Sequence, residues 1–445
     1  MYAISQTHSK INKMKCIYLF LIVLITACQT NQKNLDNIIY LPDLDKIGTK
    51  CDSLRSAGSF DEAARLYFKT GQQLKSSELF VYAGWQYGEA KMLDSALIAI
   101  NRSIDFGMSN PNILAVYELD KYDKKSLLGK RITQRLDSIK QIQSRVENFE
   151  LVLEPLDSFW KYFDKAIVDT TNAKHYLKQY ILNGSNATKD YYHKRYENVN
   201  NMFNQMIVKT PNHYEHTRQF LTKFKIDSLK ETMNKMIVQF SELYPSAVYP
   251  KAYIVPGILS GNGTQTEVGL FTAAEMFVKS DEMSNKNLYK WQLNTIRKSS
   301  LMIFVTIHEW MHFQQSYHDK KNEGTLLHKV IEEGVCDFLV ELLSDINTLD
   351  IDRVNKIEYL NNKENLKFII SEFKRDIYSN DLSKWMYNGG TIKDRPSDMG
   401  YAFGYKICKS YYERSKNKKS AIWELLNTDD FKKILAGSEF NNLLE

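Results

Sequence analysis

The stretch His308-Glu309-Trp310-Met311-His312, entered through the apolar run Leu301 to Ile307, limits this chain more than any other. Residues four apart on an α-helix lie on one face about a turn up, so the two imidazoles can converge on one tetrahedral metal. Glu309 then points beside them, toward a water in the remaining position. Two His and a Glu behind such an apolar run would be costly to bury without partners, which favours a ligand role over an ordinary helix face. With nine His in the chain the spacing is informative but not sufficient, so the assignment turns on a third ligand.

A second amphipathic helix is expected from about Leu327 to Asp345, after the turn Lys320 to Gly324, and it carries Glu332-Glu333-Gly334-Val335-Cys336-Asp337. Twenty residues separate Glu333 from His312, enough for the chain to turn, return antiparallel and deliver a carboxylate. Asp337, four residues on, shares the face of Glu333 and can accept the free ring N–H of a ligand His, fixing its tautomer. Three protein ligands leave a fourth position open, which is the catalytic arrangement and not the closed structural one. The candidate Zn2+ ligands are therefore His308, His312 and Glu333, with Glu309 as general base. His318 competes for the third place, because it follows His312 at the metzincin spacing and Ser397-Asp398-Met399-Gly400-Tyr401 has the look of the metzincin Met-turn. That geometry needs Gly three residues after the second His, where the chain turns sharply. Gln315 stands there, and it is expected to continue the helix and carry His318 away. Cys336, one turn from Glu333, reads as a small packing residue.

This pattern resembles the gluzincin metallopeptidases. Glu333-Gly334-Val335-Cys336-Asp337-Phe338 is similar to the aminopeptidase-like branch and to uncharacterised bacterial families of predicted zinc-dependent proteases, and Gly400 to Tyr405 looks like the latter. The resemblance covers roughly residues 150 to 445. It implies a zincin-like α+β fold and hydrolysis of peptide bonds, and it directs attention to Tyr401 or Tyr405 as the donor to the oxyanion. Tyr401 is preferred; a core aromatic is the other reading. No Gly-Ala-Met-Glu-Asn sequence of the kind that anchors a free amino terminus in aminopeptidases is present. The nearest stretch is Ala273-Ala274-Glu275-Met276, which leans toward an endopeptidase.

The N-terminus supplies an address. Lys10, Lys13 and Lys15, without an acid, precede the apolar segment Cys16 to Ile25, the layout of a secretory signal that is too short to span a bilayer. Ile25-Thr26-Ala27-Cys28 resembles the lipobox of bacterial lipoproteins, which implies lipidation at Cys28 and anchoring in the bacterial cell envelope. Losing residues 1–27 lowers the formal net charge from +6 to +3, so nothing points to a nucleic-acid partner. The remaining thiols, Cys51, Cys336 and Cys408, are odd in number and far apart, and indicate no disulfide framework.

Between anchor and motif the chain reads as helical. Residues 28–43 are a polar tether. In 44–110, Gly58-x4-Ala63-x3-Tyr67 is followed 33 residues later by Ala96-x3-Ile100, with Gly84 and Tyr87 between them. This resembles the tetratricopeptide repeat and offers a protein partner a surface; a generic pair of helical hairpins is the alternative. Residues 111–150 form a helical connector, and helices continue to Leu243. Strand patterns then run from Val248 to Val255 and from Gly269 to Ala274, with Gly257, Gly261 and Gly263 in a hairpin loop. The expected architecture is mainly α with a small antiparallel sheet: an α-helical repeat region followed by an α+β zincin-like metallopeptidase domain over 151–445. The expected function is a zinc-dependent peptidase of the envelope acting on a peptide or protein substrate. The alternative is a non-catalytic envelope scaffold with a metallopeptidase-like docking domain.

Overall fold

The computed structural model describes residues 39–119, 122–223, 226–317, 319, 321–344, 351–388 and 392–444 of the 445. The signal segment, Cys28, most of the tether and His318 lie outside them. The protein is mainly α-helical, and a helical region precedes the part that bears the sheet.

Helices α1 (Leu44–Ser56), α2 (Phe60–Leu74), α3 (Ser77–Glu89) and α4 (Leu93–Asp105) form successive antiparallel hairpins. Asp43 starts α1 by accepting from the Lys46 N–H, and Ser76 starts α3 by accepting from Leu79. Small residues let the helices approach: a Cβ on Gly84 would lie 2.9 Å from Ile100 Cδ1. Helices α5 (Glu154–Val168), α6 (Ala173–Asn183), α7 (Pro211–Lys223) and α8 (Ile226–Leu243) follow.

Four short strands, β1 (Leu151–Val152), β2 (Ala252–Val255), β3 (Gly263–Thr266) and β4 (Gly269–Ala273), make one sheet in the order β1-β2-β4-β3. The sheet is mixed and not antiparallel: β1 and β4 both run parallel to β2, and only β3 opposes β4. The cause is a crossover. The chain leaves β2 through Pro256 to Asn262, crosses to the far edge as β3, and returns into the gap as β4. Gly257 and Gly261 therefore lie in this crossover, Gly263 opens β3, and the hairpin turn is Glu267-Val268. Gly257 is required where it stands because a Cβ there would lie 2.3 Å from the Glu275 carboxylate.

The sheet divides two cores, and successive residues of its strands face opposite sides. Ile254 and Leu270 join a core with Phe240 of α8, Trp310, Val330, Phe338 and Phe403. Val255 and Phe271 join a core with α1–α4 and with Phe159, Phe163, Tyr180, Tyr192 and Tyr214. The helices over 159–214 thus pack on the same side as the N-terminal hairpins. Those hairpins also grip the β3–β4 turn: Ser109 N–H donates to Glu267 O at 2.6 Å, and Glu267 N–H donates to Glu78 Oε2 at 3.1 Å. Glu78 is in turn tied to Lys194 at 3.6 Å, and its N–H donates to buried Asp190.

Three helices finish the site region: α9 (Met302–Gln314), α10 (Leu326–Leu342) and α11 (Met399–Arg414). Helices α10 and α11 cross at two glycines, where a Cβ on Gly334 would lie 2.1 Å from Gly404 C and one on Gly404 would lie 1.7 Å from Val330 O. This contact gives the Gly in Glu333-Gly334 and the second Gly of Gly400 to Tyr405 a common purpose, which is to bring α11 against the helix that carries Glu333.

Candidate metal centre

Helix α9 is oriented by the residue between the two His. Trp310 is fully buried among the rings of Phe149, Phe240 and Tyr249, and its indole N–H donates to Val248 O at 2.7 Å. Thr306 ties the same helix to β4 through Thr272 at 2.9 Å. The opposite face therefore presents His308 and His312 to α10.

There the side chains converge. Glu333 Oε2 lies 3.1 Å from His308 Nε2 and 3.4 Å from His312 Nε2. Donors about 2.0–2.2 Å from one tetrahedral ion stand roughly 3.3 Å apart, so the spacing fits zinc. The far nitrogens are held from behind: His308 Nδ1 meets Asp337 Oδ1 at 3.1 Å, and His312 Nδ1 meets Gln315 Oε1 at 2.9 Å. These acceptors hold a proton on each Nδ1; Nε2 then either donates to Glu333 as N–H or, with a metal bound, would present its lone pair to the ion. Arg353 in turn pairs with Asp337 at 3.6 Å and donates to its carbonyl.

Cys336 also falls within 4.8 Å of donor atoms of His308 and His312. Its sulfur approaches His312 from the Nδ1 side at 3.5 Å, where Gln315 already accepts, and burial pushes its thiol up. The two Nε2 atoms face Glu333 Oε2, whereas Cys336 lies behind the His312 ring.

The electrostatics couple these groups tightly to one another. Burial alone would raise the Glu333 carboxyl, but the charge of His312 and hydrogen bonds from both His hold it far below the usual range. Burial alone would lower His308 and His312. Asp337 and Glu333 around the first, and Cys336 and Glu333 around the second, raise both well above ordinary imidazole. Without a metal these are imidazolium groups hydrogen-bonded to a carboxylate; a metal ion would take the place of the Nε2 protons. Glu309 accepts no hydrogen bond from a described residue. Burial raises its carboxyl, partly offset by His312 and His308 and, more weakly, by Arg195. Strand β3 passes directly over it, since a Cβ on Gly263 would lie 2.5 Å from Glu309 Oε1.

Helix α9 ends at Gln314, and Gln315 leaves it in an extended conformation at φ −77°, ψ 132°. The expectation that Gln315 continues the helix is therefore corrected. Its side chain explains the break, because Oε1 faces His312 Nδ1 while Nε2 donates to Glu332 O at 2.6 Å, so no left-handed Gly is needed.

Of the two tyrosines, Tyr401 stands near the centre: burial raises its hydroxyl first and the Glu333 charge second. Tyr405 turns away to Glu341 and Lys409. Glu275 is fully buried, and its carboxylate accepts from Gly257 N at 2.7 Å and Leu259 N at 3.0 Å, so it is held within the crossover. Two residues escaped the sequence reading. Tyr387, 68% exposed and left-handed at φ 58°, stacks edge-on with Tyr401 and also feels Glu333. Arg195, from a π-helical turn (Tyr192–Tyr196), donates to Gly263 O at 2.7 Å. Neither the π-turn nor the positive φ of Tyr387 and Glu197 has a sequence signature, so nothing local in the sequence marks Arg195 or Tyr387.

A family model described as gliding motility protein GldB matches residues 147–442. That span holds every residue of the centre and leaves the N-terminal hairpins outside. No curated protein and no solved structure matches the chain.

Proposed function

The chain belongs to the gliding motility protein GldB family, a family of bacterial envelope lipoproteins, and from that premise we propose that it is a zinc-dependent peptidase, most simply an endopeptidase. The observation that carries the reading is Glu333 Oε2 within 3.1 and 3.4 Å of the two Nε2 atoms. His308, His312 and Glu333 would hold the ion, which supplies a Lewis acid for water and the scissile carbonyl. Glu309 takes the proton of the attacking water and returns it to the leaving nitrogen. The Tyr401 hydroxyl, with Tyr387 against it, donates to the oxyanion as the carbonyl becomes tetrahedral. Edge strand β3 lends its free backbone groups to an extended substrate. Glu275, sealed in the crossover, is not available to hold a free amino terminus.

In this reading Cys28 carries the lipid that fixes the protein to the membrane, and the tetratricopeptide-like hairpins over 44–110 offer a surface to a protein partner. A second reading is supported more directly by the family, whose description names motility and no hydrolysis. Here the chain is an envelope scaffold and the centre a docking domain stiffened by its ion. Digestion of an unstructured protein by the mature chain separates the two. Cleavage that stops with a chelator and in Glu309→Gln, with zinc retained, supports the peptidase; full zinc with no cleavage leaves the scaffold.

A further inference from the structure

Arg195 sits where a substrate would lie. In the β3–β4 pair, Ala273 N–H donates to Asn262 O, so the hydrogen-bonded positions of the ladder are 262, 264 and 266. The N–H and C=O of Gly263 and Gln265 consequently point away from β4, toward the open edge of the sheet. Arg195 Nη2 occupies one of those groups, Gly263 O, at 2.7 Å. The same Gly263 backbone lies against Glu309, so the guanidinium stands beside the reacting centre.

A guanidinium has five N–H donors in a planar fork. Among the described residues no carboxylate lies within ion-pair distance of Arg195, and Gly263 O is the acceptor it holds. Pinning one carbonyl uses only part of this fork, and the remaining N–H donors beside Glu309 are placed to take an anionic group. Its position is also constructed. The π-helical turn Tyr192–Tyr196 is followed by left-handed Glu197 at φ 63°, and Tyr192 and Tyr196 anchor the turn by donating to Pro42 O and Pro256 O.

We propose that Arg195 is a specificity-determining residue of this centre, which binds a carboxylate of the substrate chain beside the scissile bond. That carboxylate belongs to an acidic side chain or to the C-terminus. The proposal rests on the peptidase reading for its context, but its test does not need turnover. Binding of three dansylated pentapeptides of matched sequence to zinc-loaded mature protein is measured by fluorescence: an amide without an acid, the same chain as the free acid, and an amide bearing one Glu. Wild type binds at least one of the acidic probes roughly tenfold or more tighter than the neutral one. Arg195→Gln, which keeps a donor for Gly263 O, erases that preference and leaves the neutral probe unchanged; Arg195→Lys keeps most of it. The probe that gains shows which carboxylate is recognised. Equal binding of all three by wild type, or an undiminished preference in Arg195→Gln, overturns the proposal. Carboxylate preference without cleavage defeats the peptidase reading alone, and cleavage without preference defeats this proposal alone.

Discussion

Replacing Gly404 by Ala puts one methyl group where helices α10 and α11 touch. The ideal Cβ would lie 1.7 Å from Val330 O, whereas ordinary contact begins at 3.4 Å, so the helices must part by about 1.7 Å locally. The obstacle is helix backbone and cannot rotate aside. A gap of 0.5–1 Å already forfeits roughly a quarter to a half of the dispersion well, and the buried contact of Val330, Ile331 and Phe338 with Phe403 and Ile407 would open by more. Overpacking of this kind costs ~1–3 kcal/mol, and the rigid obstacle points to the upper end. At roughly 1–2 °C per kcal/mol for a unit of this size, the melting temperature should fall by roughly 3–6 °C. Gly48 supplies the control, because it lies in α1 with nothing within 4 Å of its Cβ position, and Gly48→Ala should stabilise by ~0.5–1 kcal/mol. Thermal unfolding followed by circular dichroism measures both. Since α11 also carries Tyr401, Gly404→Ala should weaken the proposed activity at temperatures where it is still folded. A Gly404→Ala protein that melts with the wild type would refute the close crossing and the reasoning drawn from it.

Further outcomes follow from the same geometry. Asp337→Asn loses the charged acceptor behind His308 Nδ1 and should weaken zinc binding roughly 10–100-fold in a competition titration against a chromogenic chelator; unchanged affinity would remove Asp337 from the centre. Glu275 gives a pH signature away from the metal. Burial pushes its carboxyl from 4.5 up to about 7, against the N–H donors of Leu259 and Gly257. Because the folded value lies above the unfolded one, the folded state is favoured below about 4.5 and loses stability as pH rises through about 7, by ~3 kcal/mol in all. Urea unfolding at acid and alkaline ends of that window should show a smaller loss in Glu275→Gln than in wild type, and parallel losses would contradict the assignment.

How much of this was legible before the fold depended on how local each feature is. His308 and His312 share a helix face by spacing alone, and Glu333 and Asp337 do so on the next helix, so both halves of the centre were readable. Which half met which followed from a short antiparallel return. The helix end at Gln315 was misread because side-chain hydrogen bonds to His312 and Glu332, not a backbone preference, terminate it. The sheet was misread because β3 and β4 form a local hairpin while the parallel partners β1 and β2 come from residues a hundred apart. Arg195 and Tyr387 reach the centre from segments far from the motif, and only the packed chain brings them together.

Whether His308, His312 and Glu333 hold a metal is read from zinc stoichiometry in the purified mature protein, wild type beside Glu333→Ala, Cys336→Ser and His318→Ala. Wild type, Cys336→Ser and His318→Ala should each hold one zinc tightly per chain, and Glu333→Ala should lose it. Zinc retained in Glu333→Ala and lost in either of the other two would contradict this ligand set.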